Sequence, residues 1–223
     1  MSGFAKGNVY TSGEKIILPH KAKGYYLAKR VIDVVSSLAG LILLSILFVI
    51  VAILIKLEDP KGKVFFKQVR VGKNGKEFYM YKFRSMSSDA EERLKDLLSL
   101  NQAEGAMFKM KDDPRITRIG KFIRKTSIDE LPQLINVLKG EMSLVGPRPP
   151  LPREVAEYSS YDKQRLLVIP GCTGLWQVSG RSNVGFSEMV ELDLQYIRDR
   201  SVFYDIKIIL KTILVLFGSK NAY

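Results

Sequence analysis

The sequence predicts an α+β fold: an N-terminal re-entrant membrane helix, broken in its middle, and a small cytoplasmic domain with amphipathic interfacial helices. Three observations predict it: a long uncharged apolar segment near the N-terminus, an alternating apolar and polar hairpin pattern after it, and helical periodicity in the remainder. The chain has 223 residues, 46% of them hydrophobic, which is enough for one domain with its own core. We expect a basic segment over residues 1–28, the membrane helix over 29–57 and the domain over 58–223.

Residues 34–55 contain no charged side chain over 22 positions. As a helix this segment is about 33 Å long, enough to cross a hydrocarbon layer of about 30 Å. It lacks the polar face of a soluble core helix, and it starts too late and without a cleavage site for a signal peptide. The segment therefore predicts attachment to a membrane.

Basic residues flank this segment on both sides: Lys29 and Arg30 before it, Lys56 and Lys61 after it. Because positively charged flanks favour the cytoplasmic side, both ends are expected there. A re-entrant helix broken near Ser45 satisfies this, since each half is too short to span the bilayer. The alternative is an ordinary single pass with a weak charge bias.

The domain begins with a predicted β-hairpin. Residues 63–71 and 76–84 alternate apolar and polar side chains around Gly72-Lys73-Asn74-Gly75, and Asn-Gly is favoured in tight turns. Helical periodicity follows in three segments: residues 88–100, the basic amphipathic 115–125, and 131–138, which Lys139-Gly140 ends.

The C-terminal apolar segment, residues 202–217, is interrupted by Asp205, Lys207 and Lys211, so it cannot span a membrane. Two arrangements fit it equally well. The helix lies in the headgroup plane with its lysines extending outwards, or it packs on the core as a terminal helix.

The positive charge is concentrated behind the membrane segment. The chain has a formal net charge of +12, and residues 56–125 contain 18 Lys and Arg against 10 Asp and Glu. A basic surface beside a membrane suits anionic phospholipid headgroups. We expect no nucleic-acid partner, because no RRM, KH, helix-turn-helix or zinc-finger signature is present and the aromatic residues form no stacking series.

Composition excludes several kinds of site. Cys172 is the one cysteine and His20 the one histidine in the sequence. These counts exclude an internal disulfide, a four-cysteine zinc site and any protease that needs two imidazoles. A Ser-His-Asp triad is disfavoured, because His20 lies in a lysine-rich stretch with no nucleophile motif nearby.

Two adjacent carboxylates, Asp129 and Glu130, precede the helix predicted over residues 131–138. One interpretation is a helix cap, because Ser127 and Glu130 match an S-x-x-E capping box. Pro132 instead suits an N-cap at Asp129. The other interpretation is chemical: a carboxylate at a helix N-terminus near Arg124 stays ionised and can act as a nucleophile, and its neighbour can hold a divalent cation. Taken alone, this segment favours the cap.

Two further clusters contain rigid or glycine-rich backbone. In Pro147-Arg148-Pro149 the flanking prolines can fix a planar guanidinium for phosphate or a base edge, although a rigid turn with an incidental arginine explains the pattern equally well. Residues 170–181, PGCTGLWQVSGR, are typical of a tight loop whose backbone amides approach a ligand. A single glycine-rich loop is weak support for a site.

Taken together and in chain order, four motifs resemble those of the bacterial sugar transferases, the monotopic phosphoglycosyl transferases. They are KR-x-x-D before the apolar segment, YKFRSM, TSIDELPQLINVLKGEMSLVGPRP and PGCTGLWQVSGR, and the resemblance runs from about Lys29 to Thr212. It implies a re-entrant helix in the inner membrane of a bacterium, a catalytic domain on the cytoplasmic face and a need for magnesium (Mg2+). The family usually has Ser-Pro at the helix break, whereas this chain has Ser45-Ile46, so the sharpness of the turn stays open.

The resemblance also implies roles for single residues. Asp129 matches the family nucleophile and Glu130 its partner at the metal, so both are expected at the Mg2+ ion. Substrate-binding residues are expected in the basic, proline-rich and glycine-rich motifs: Lys82, Arg84, Arg124, Pro147, Arg148, Pro149, Gln177 and Arg181.

The implied reaction moves a sugar 1-phosphate from a UDP-sugar to undecaprenyl phosphate in two steps. The Asp129 carboxylate attacks the β-phosphorus and UMP leaves, and the lipid phosphate then attacks the phosphosugar on the aspartate. Residues 106–117 and the glycine-rich loop resemble members that use UDP-glucose or UDP-galactose. The rival hypothesis is a non-enzymatic, membrane-anchored adaptor that binds anionic lipid. Neither the pathway, whether capsule, exopolysaccharide or O-antigen, nor the oligomeric state is fixed by the sequence, and a homo-oligomer is compatible with it.

Overall fold

Helices and short strands alternate along the part of the chain that the computed structural model describes, residues 21–97, 110, 113–179 and 185–218. The helices in this part are α1 Lys23–Leu43, α2 Ser45–Glu58, α3 Ala90–Leu97, α4 Arg118–Lys125, α5 Gln133–Lys139, α6 Pro152–Ala156, α7 Leu175–Ser179, α8 Phe186–Asp199 and α9 Val202–Gly218. The strands are β1 Phe65–Val71, β2 Glu77–Phe83, β3 Ser143–Val145 and β4 Gly171–Thr173. This mixture agrees with the predicted α+β class.

The apolar N-terminal segment forms two helices that meet at a bend. α1 ends at Leu43, α2 begins at Ser45, and the two axes are bent by 59°. No single helix in the described residues is long and apolar enough to cross a membrane, whereas the bent pair together meets that requirement by length and composition. The break predicted near Ser45 is confirmed, and it forms without a proline.

Most of the bent pair leaves its apolar side chains uncovered. In α2 the buried side chains are Val51 and Ile55, which pack against Phe83 and Ile123. The large exposed apolar side chains of the pair include Leu27, Val31, Val35, Leu38, Ile42, Leu43, Ile46, Val49, Ile50, Ile53, Leu54 and Leu57. Contiguous apolar surface of this extent is unfavourable in water, so it suits a lipid environment.

The KR-x-x-D motif fixes α1 to the domain through three side chains. Lys29 forms an ion pair with Asp205 of α9 at 2.8 Å. Arg30 donates hydrogen bonds of 2.6 and 2.7 Å to the carbonyls of Val137 and Leu138, near the C-terminus of α5. Asp33 is buried and accepts hydrogen bonds from the start of β3. The motif therefore holds α1 in a defined position over the domain.

The predicted hairpin is confirmed. β1 and β2 are antiparallel, with register from Phe65 opposite Phe83 to Val71 opposite Glu77. Asn74 and Gly75 make the turn at φ values of 57° and 79°, the left-handed region that asparagine and glycine tolerate. The hairpin contributes side chains to two apolar clusters, one below α2 and one beside α5.

The predicted helices form, with later starts. α3 spans residues 90–97 of the predicted 88–100, and residues 98–100 lie outside the described part. α4 begins at Arg118 rather than at residue 115, because Arg115 is buried in an ion pair with Asp113 at 2.6 Å. Thr117 then caps the helix by accepting a hydrogen bond from the Gly120 amide. α5 ends at Lys139 with Gly140 in the left-handed region, as predicted.

α9 has one face in the core and one face uncovered. Of the two arrangements predicted for the C-terminal segment, packing on the core describes the first face, and lying at a membrane surface suits the second. Asp205 and Ile208 are buried, and Ile208 belongs to the core cluster beneath β3. Phe203, Leu210 and Leu214 lie on the exposed side. This side suits the membrane surface, like the uncovered face of α1 and α2.

Candidate active site

A cleft lies between the hairpin, the turn that carries Asp129 and Glu130, and the loops around β3 and β4. It has a volume of about 230 Å3, space open to solvent included. Its charged lining consists of Arg70, Lys82, Arg148 and Glu130, and the neutral side chains include Gln133, Pro149, Cys172 and Gln177. Three cations and one carboxylate give this cleft a positive charge, which favours an anionic ligand.

Asp129 and Glu130 lie in a single turn of 3₁₀ helix, Ile128–Glu130, between α4 and α5. Ser127 precedes the turn at φ 57°, a left-handed conformation that is uncommon for serine. Ile128 packs against the apolar cluster below α2. The turn therefore joins the apolar cluster below α2 to the cleft.

Neither of the helix caps considered for this segment forms. Ser127 makes no capping hydrogen bond, and α5 begins after Pro132 without a side-chain cap. The capping box of Ser127 and Glu130 and the N-cap at Asp129 are therefore wrong. The physical reason is that Ser127 turns the chain away from a helical start, while Glu130 pairs with a residue of the hairpin. The two carboxylates have no capping role.

Glu130 forms an ion pair with Lys82 of β2, with a distance of 2.6 Å between the carboxylate oxygen Oε1 and Nζ. Burial by itself would raise the pKa of Glu130, but the positive charges of Lys82, Arg148 and Arg70 outweigh it and lower the pKa to about 2. About one third of the side chain, 34%, is exposed. Glu130 is therefore an ionised carboxylate that a ligand can reach.

Asp129 has the opposite electrostatic environment. The residue is 8% exposed, and burial raises the pKa of its carboxyl group to about 6. Glu130 adds to this shift, whereas Lys82 and Arg124 oppose it. At neutral pH Asp129 is mostly ionised but poorly hydrated, which suits a nucleophile. In many active sites, two neighbouring carboxyl groups whose pKa values are shifted in opposite directions have different roles in the reaction.

The Pro147–Pro149 segment presents Arg148 to the cleft. Both prolines are buried and Arg148 is half-buried. The Gly171 amide donates to the Pro147 carbonyl at 2.9 Å, and Arg70 donates to the Pro149 carbonyl at 3.0 Å. Within the described residues Arg148 has no hydrogen-bond or ion-pair partner of its own. Its backbone is fixed while its guanidinium is available to an anion.

The glycines of the PGCTG loop allow two segments of backbone to approach each other. A Cβ atom on Gly171 would lie 2.0 Å from the Gly146 nitrogen, and one on Gly174 would lie 2.4 Å from the Gly146 carbonyl oxygen. The parallel pairing of β3 with β4 depends on this approach. Packing of protein backbone, rather than the predicted approach to a ligand, therefore explains these glycines.

Comparison with known proteins covers most of the chain. Residues 24–219 match the family model described as bacterial sugar transferase. This chain belongs to the bacterial sugar transferase family.

Three relatives of this sugar transferase illustrate the match. The galactosyl transferase CpsE of Streptococcus agalactiae is 54% identical over 197 residues, which cover 87% of this chain and 43% of the relative. The undecaprenyl-phosphate galactose phosphotransferase of Salmonella typhimurium is 45% identical over 199 residues, covering 87% and 41%. The exopolysaccharide production protein ExoY of Rhizobium meliloti is 41% identical over 201 residues, covering 88% of each. The chain spans less than half of the first two relatives and most of the third.

Four of the substrate-binding residues predicted for this sugar transferase line the cleft: Lys82, Pro149, Arg148 and Gln177. The Gln177 amide donates to the Cys172 carbonyl at 3.2 Å, while its Oε1 oxygen is buried without a partner in the described residues. Pro147 lies behind Arg148 as a buried support.

The other predicted residues lie away from the cleft lining. Arg124 is exposed on α4 and acts on Asp129 through its charge. Arg84 forms an ion pair of 3.1 Å with Asp59, just after α2, which holds it outside the cleft lining. Arg181 lies outside the described residues, as do residues 106–109 and 111–112 of the segment linked to the choice of sugar, and residues 1–20.

Sequence reasoning missed Arg70, which the structure brings into the cleft beside Arg148. In the sequence, Arg70 is one of several basic residues in a strand that alternates apolar and polar side chains, and nothing in that pattern marks it as part of a site. Burial of its guanidinium depends on contacts with Gln68 and Pro149, which the strand pattern does not reveal.

The resemblance to the sugar transferases implies a Mg2+ ion at Asp129 and Glu130. The described residues contain no group of three or more His, Cys, Asp and Glu side chains that could hold a metal ion. Mg2+ is usually held by one or two carboxylates, waters and substrate phosphates, so the adjacent carboxylates Asp129 and Glu130 fit it. Such a site would be completed by substrate.

Proposed function

We propose that this chain transfers a hexose 1-phosphate from a UDP-sugar to undecaprenyl phosphate, with release of UMP, as an initiating step of capsule, exopolysaccharide or O-antigen assembly. The observation that carries the proposal is a buried carboxylate, Asp129, beside the ionised Glu130 at a cleft lined by three cations. Family membership supports it, and so do the galactose and undecaprenyl-phosphate names of relatives.

In the first step, an Asp129 carboxylate oxygen attacks the β-phosphorus of the UDP-sugar. The bond from that phosphorus to the bridging oxygen breaks, and UMP leaves with the electron pair. Lys82 and Arg148 offset the negative charge that develops on the phosphate oxygens. The product on the protein is an aspartyl phosphosugar. Asp129 and Glu130 would hold a Mg2+ ion, which when bound neutralises phosphate charge.

In the second step, a phosphate oxygen of undecaprenyl phosphate attacks the same phosphorus, and the Asp129 carboxylate is released. The acceptor phosphate lies at the membrane surface, so the nucleophile has to be close to it. The contact of Ile128 with the cluster that contains Val51 and Ile55 of α2 supports this, because Asp129 is one residue away. The proposal treats α1 and α2 as a re-entrant pair and the domain as cytoplasmic, at the bacterial inner membrane.

Anionic phospholipid is the proposed membrane partner. α4 exposes Phe122 together with the cations Lys121, Arg124 and Lys125, a composition that suits insertion among acidic headgroups.

A UMP-release assay tests the proposal. Full-length protein in detergent or nanodiscs is incubated with Mg2+, undecaprenyl phosphate and one donor at a time: UDP-galactose, UDP-glucose and their N-acetylated counterparts. We expect UMP release with a hexose donor and a lipid-linked hexose phosphate as product. An adaptor would bind anionic vesicles and release no UMP from any donor, and that result would refute the proposed activity.

The covalent intermediate has its own test. Protein incubated with labelled donor and Mg2+ but without the lipid acceptor should retain sugar phosphate on Asp129, which mass spectrometry of the quenched protein detects. Wild-type protein that turns over without forming this adduct would point to direct transfer in a single step.

A further inference from the structure

Arg70 is a buried cation without an acidic partner. The residue is 6% exposed, and no carboxylate within the described residues pairs with it. Its Nε and one terminal nitrogen donate to the amide oxygen of Gln68 at 3.1 and 2.6 Å, and its other terminal nitrogen donates to the Pro149 carbonyl at 3.0 Å. By contrast, the buried Arg165 pairs with Asp193 at 2.7 Å. Arg70 is therefore held by neutral acceptors alone.

Burial and neighbouring cations disfavour the charge of Arg70. Burial lowers the pKa of Arg70 to about 10, the positive charges of Arg148 and Arg153 add to the effect, and the carboxylates Glu154 and Glu130 offset only part of it. A buried cation without a carboxylate at ion-pair distance has a desolvation penalty, and a second cation nearby increases it. An anionic ligand between the two guanidinium groups would remove both penalties.

The geometry of Arg70 leaves donors for such a ligand. A guanidinium has five N–H donors, and Gln68 and Pro149 accept from three of them, so two remain. Arg70 and Arg148 both line the cleft, and Pro149, which Arg70 holds, follows Arg148 directly in the chain. Both arginines thus line the same cleft, and the hydrogen bond from Arg70 to Pro149 links their backbone segments.

The cations of the cleft differ in their partners. Lys82 is paired with Glu130 at 2.6 Å, whereas neither Arg70 nor Arg148 has a carboxylate at ion-pair distance within the described residues. Asp129 precedes Glu130 in the same turn and is buried. For a diphosphate whose transferred phosphorus is at Asp129, the two arginines are therefore the cations available to the second phosphate.

We propose that Arg70 is a substrate-binding residue, which together with Arg148 binds the phosphate that leaves with the nucleoside. This inference rests on the proposed function for the identity of the ligand, a nucleoside diphosphate sugar. The leaving phosphate gains negative charge as its bond to the transferred phosphorus breaks. Two guanidinium groups, one of them buried, stabilise that charge by charge-assisted hydrogen bonds.

Isothermal titration of the full-length protein with UMP and, separately, with inorganic pyrophosphate tests the inference. EDTA is present so that no divalent cation contributes to binding. Arg70→Gln should weaken the binding of both probes by about tenfold to a hundredfold, because it removes a charge-assisted contact. The exposed Arg198→Gln serves as the matched control for loss of a positive charge, and it should bind both probes like the wild type.

Because Arg70 also holds Pro149, a second variant separates ligand binding from support. Gln68→Glu gives Arg70 an acidic partner at the position of its present acceptor, so the support is kept or strengthened while the positive charge is neutralised. We expect weaker UMP and pyrophosphate binding with a melting temperature equal to or above that of the wild type. Binding equal to the wild type in Gln68→Glu would overturn the inference, even if Arg70→Gln is impaired, because Arg70 would then be structural.

The same measurements distinguish this inference from the proposed function. Wild-type protein that binds pyrophosphate through Arg70 but releases no UMP from any UDP-sugar would support the arginine pair and refute the transferase proposal. Normal UMP release, with unchanged UMP binding in both variants, would refute the role of Arg70 and leave the transferase proposal standing.

Discussion

Replacing Asp129 by asparagine should abolish turnover and, at the same time, stabilise the folded protein at neutral pH. Burial raises the pKa of Asp129 from 3.8 to about 6, so the folded state keeps a proton that the unfolded state releases between these values. The stability that protonated Asp129 contributes is complete below about pH 4 and is lost as the pH rises through about 6. Asparagine has no proton to lose, so the variant does not lose this stability.

The magnitude follows from the two pKa values. A difference of about two pKa units corresponds to roughly 3 kcal/mol less stability for the wild type above pH 6. In a chain of this size, about 1 kcal/mol changes the melting temperature by roughly 2–4 °C. Asp129→Asn should therefore melt several degrees above the wild type at pH 7.5, and the difference should vanish towards pH 4.

The assay is thermal unfolding of the full-length protein in detergent from pH 4 to pH 8, with EDTA present so that no metal ion holds the carboxylate. Asp199→Asn is the matched control, because its side chain is 49% exposed and lies outside the cleft. A wild type that is more stable than Asp129→Asn at pH 7.5, or a difference that does not vary with pH, would refute the reasoning. Near-normal UMP release by Asp129→Asn would refute its role as nucleophile.

Three further predictions concern the reaction and the membrane helix. The rate of UMP release should fall about tenfold per pH unit below pH 6, because only ionised Asp129 attacks; a rate independent of pH between 5 and 7 would contradict this. Arg148→Lys should lose activity nearly as fully as Arg148→Ala, because an ammonium cannot reproduce a planar fork, and unchanged steady-state kinetics would reduce the segment to a structural turn. Single cysteines at Lys21 and Lys61, in a background without Cys172, should both resist an impermeant thiol reagent in intact cells; labelling at Lys21 alone would indicate a single pass.

Features that depend on neighbouring residues could be predicted from the sequence. The turn at Asn74, the helix end at Gly140 and the break beside Ser45 each follow from local backbone preferences and apolar patterning. The break forms although no proline follows Ser45, and on either side of it α1 contacts α5 and α2 contacts α4.

Features that depend on distant contacts could not be predicted in the same way. The S-x-x-E pattern indicated a cap, but Glu130 pairs instead with Lys82, which is 48 positions earlier in the chain. Lys82 and Arg84 belong to one short motif, yet Asp59 holds Arg84 outside the cleft lining. Arg70 lines the cleft because of its contact with Pro149, which is distant in the sequence. Local pattern located the motifs, whereas tertiary contacts decided which side chains meet.

The attachment of Arg30 to the end of α5 makes that helix a rigid link between α1 and the turn that contains Asp129 and Glu130. α5 has seven residues, about 10 Å of helix, and the turn with Asp129 and Glu130 precedes its start. α1 also packs tightly along it, since a Cβ atom on Gly40 would lie 3.1 Å from Leu134. If α1 lies in the bilayer as proposed, the depth of Asp129 relative to that bilayer is built into the frame of the protein. In the proposed reaction an acceptor lipid has to bring its phosphate to that depth, so a soluble short-chain analogue should be a poor acceptor even when its headgroup is identical.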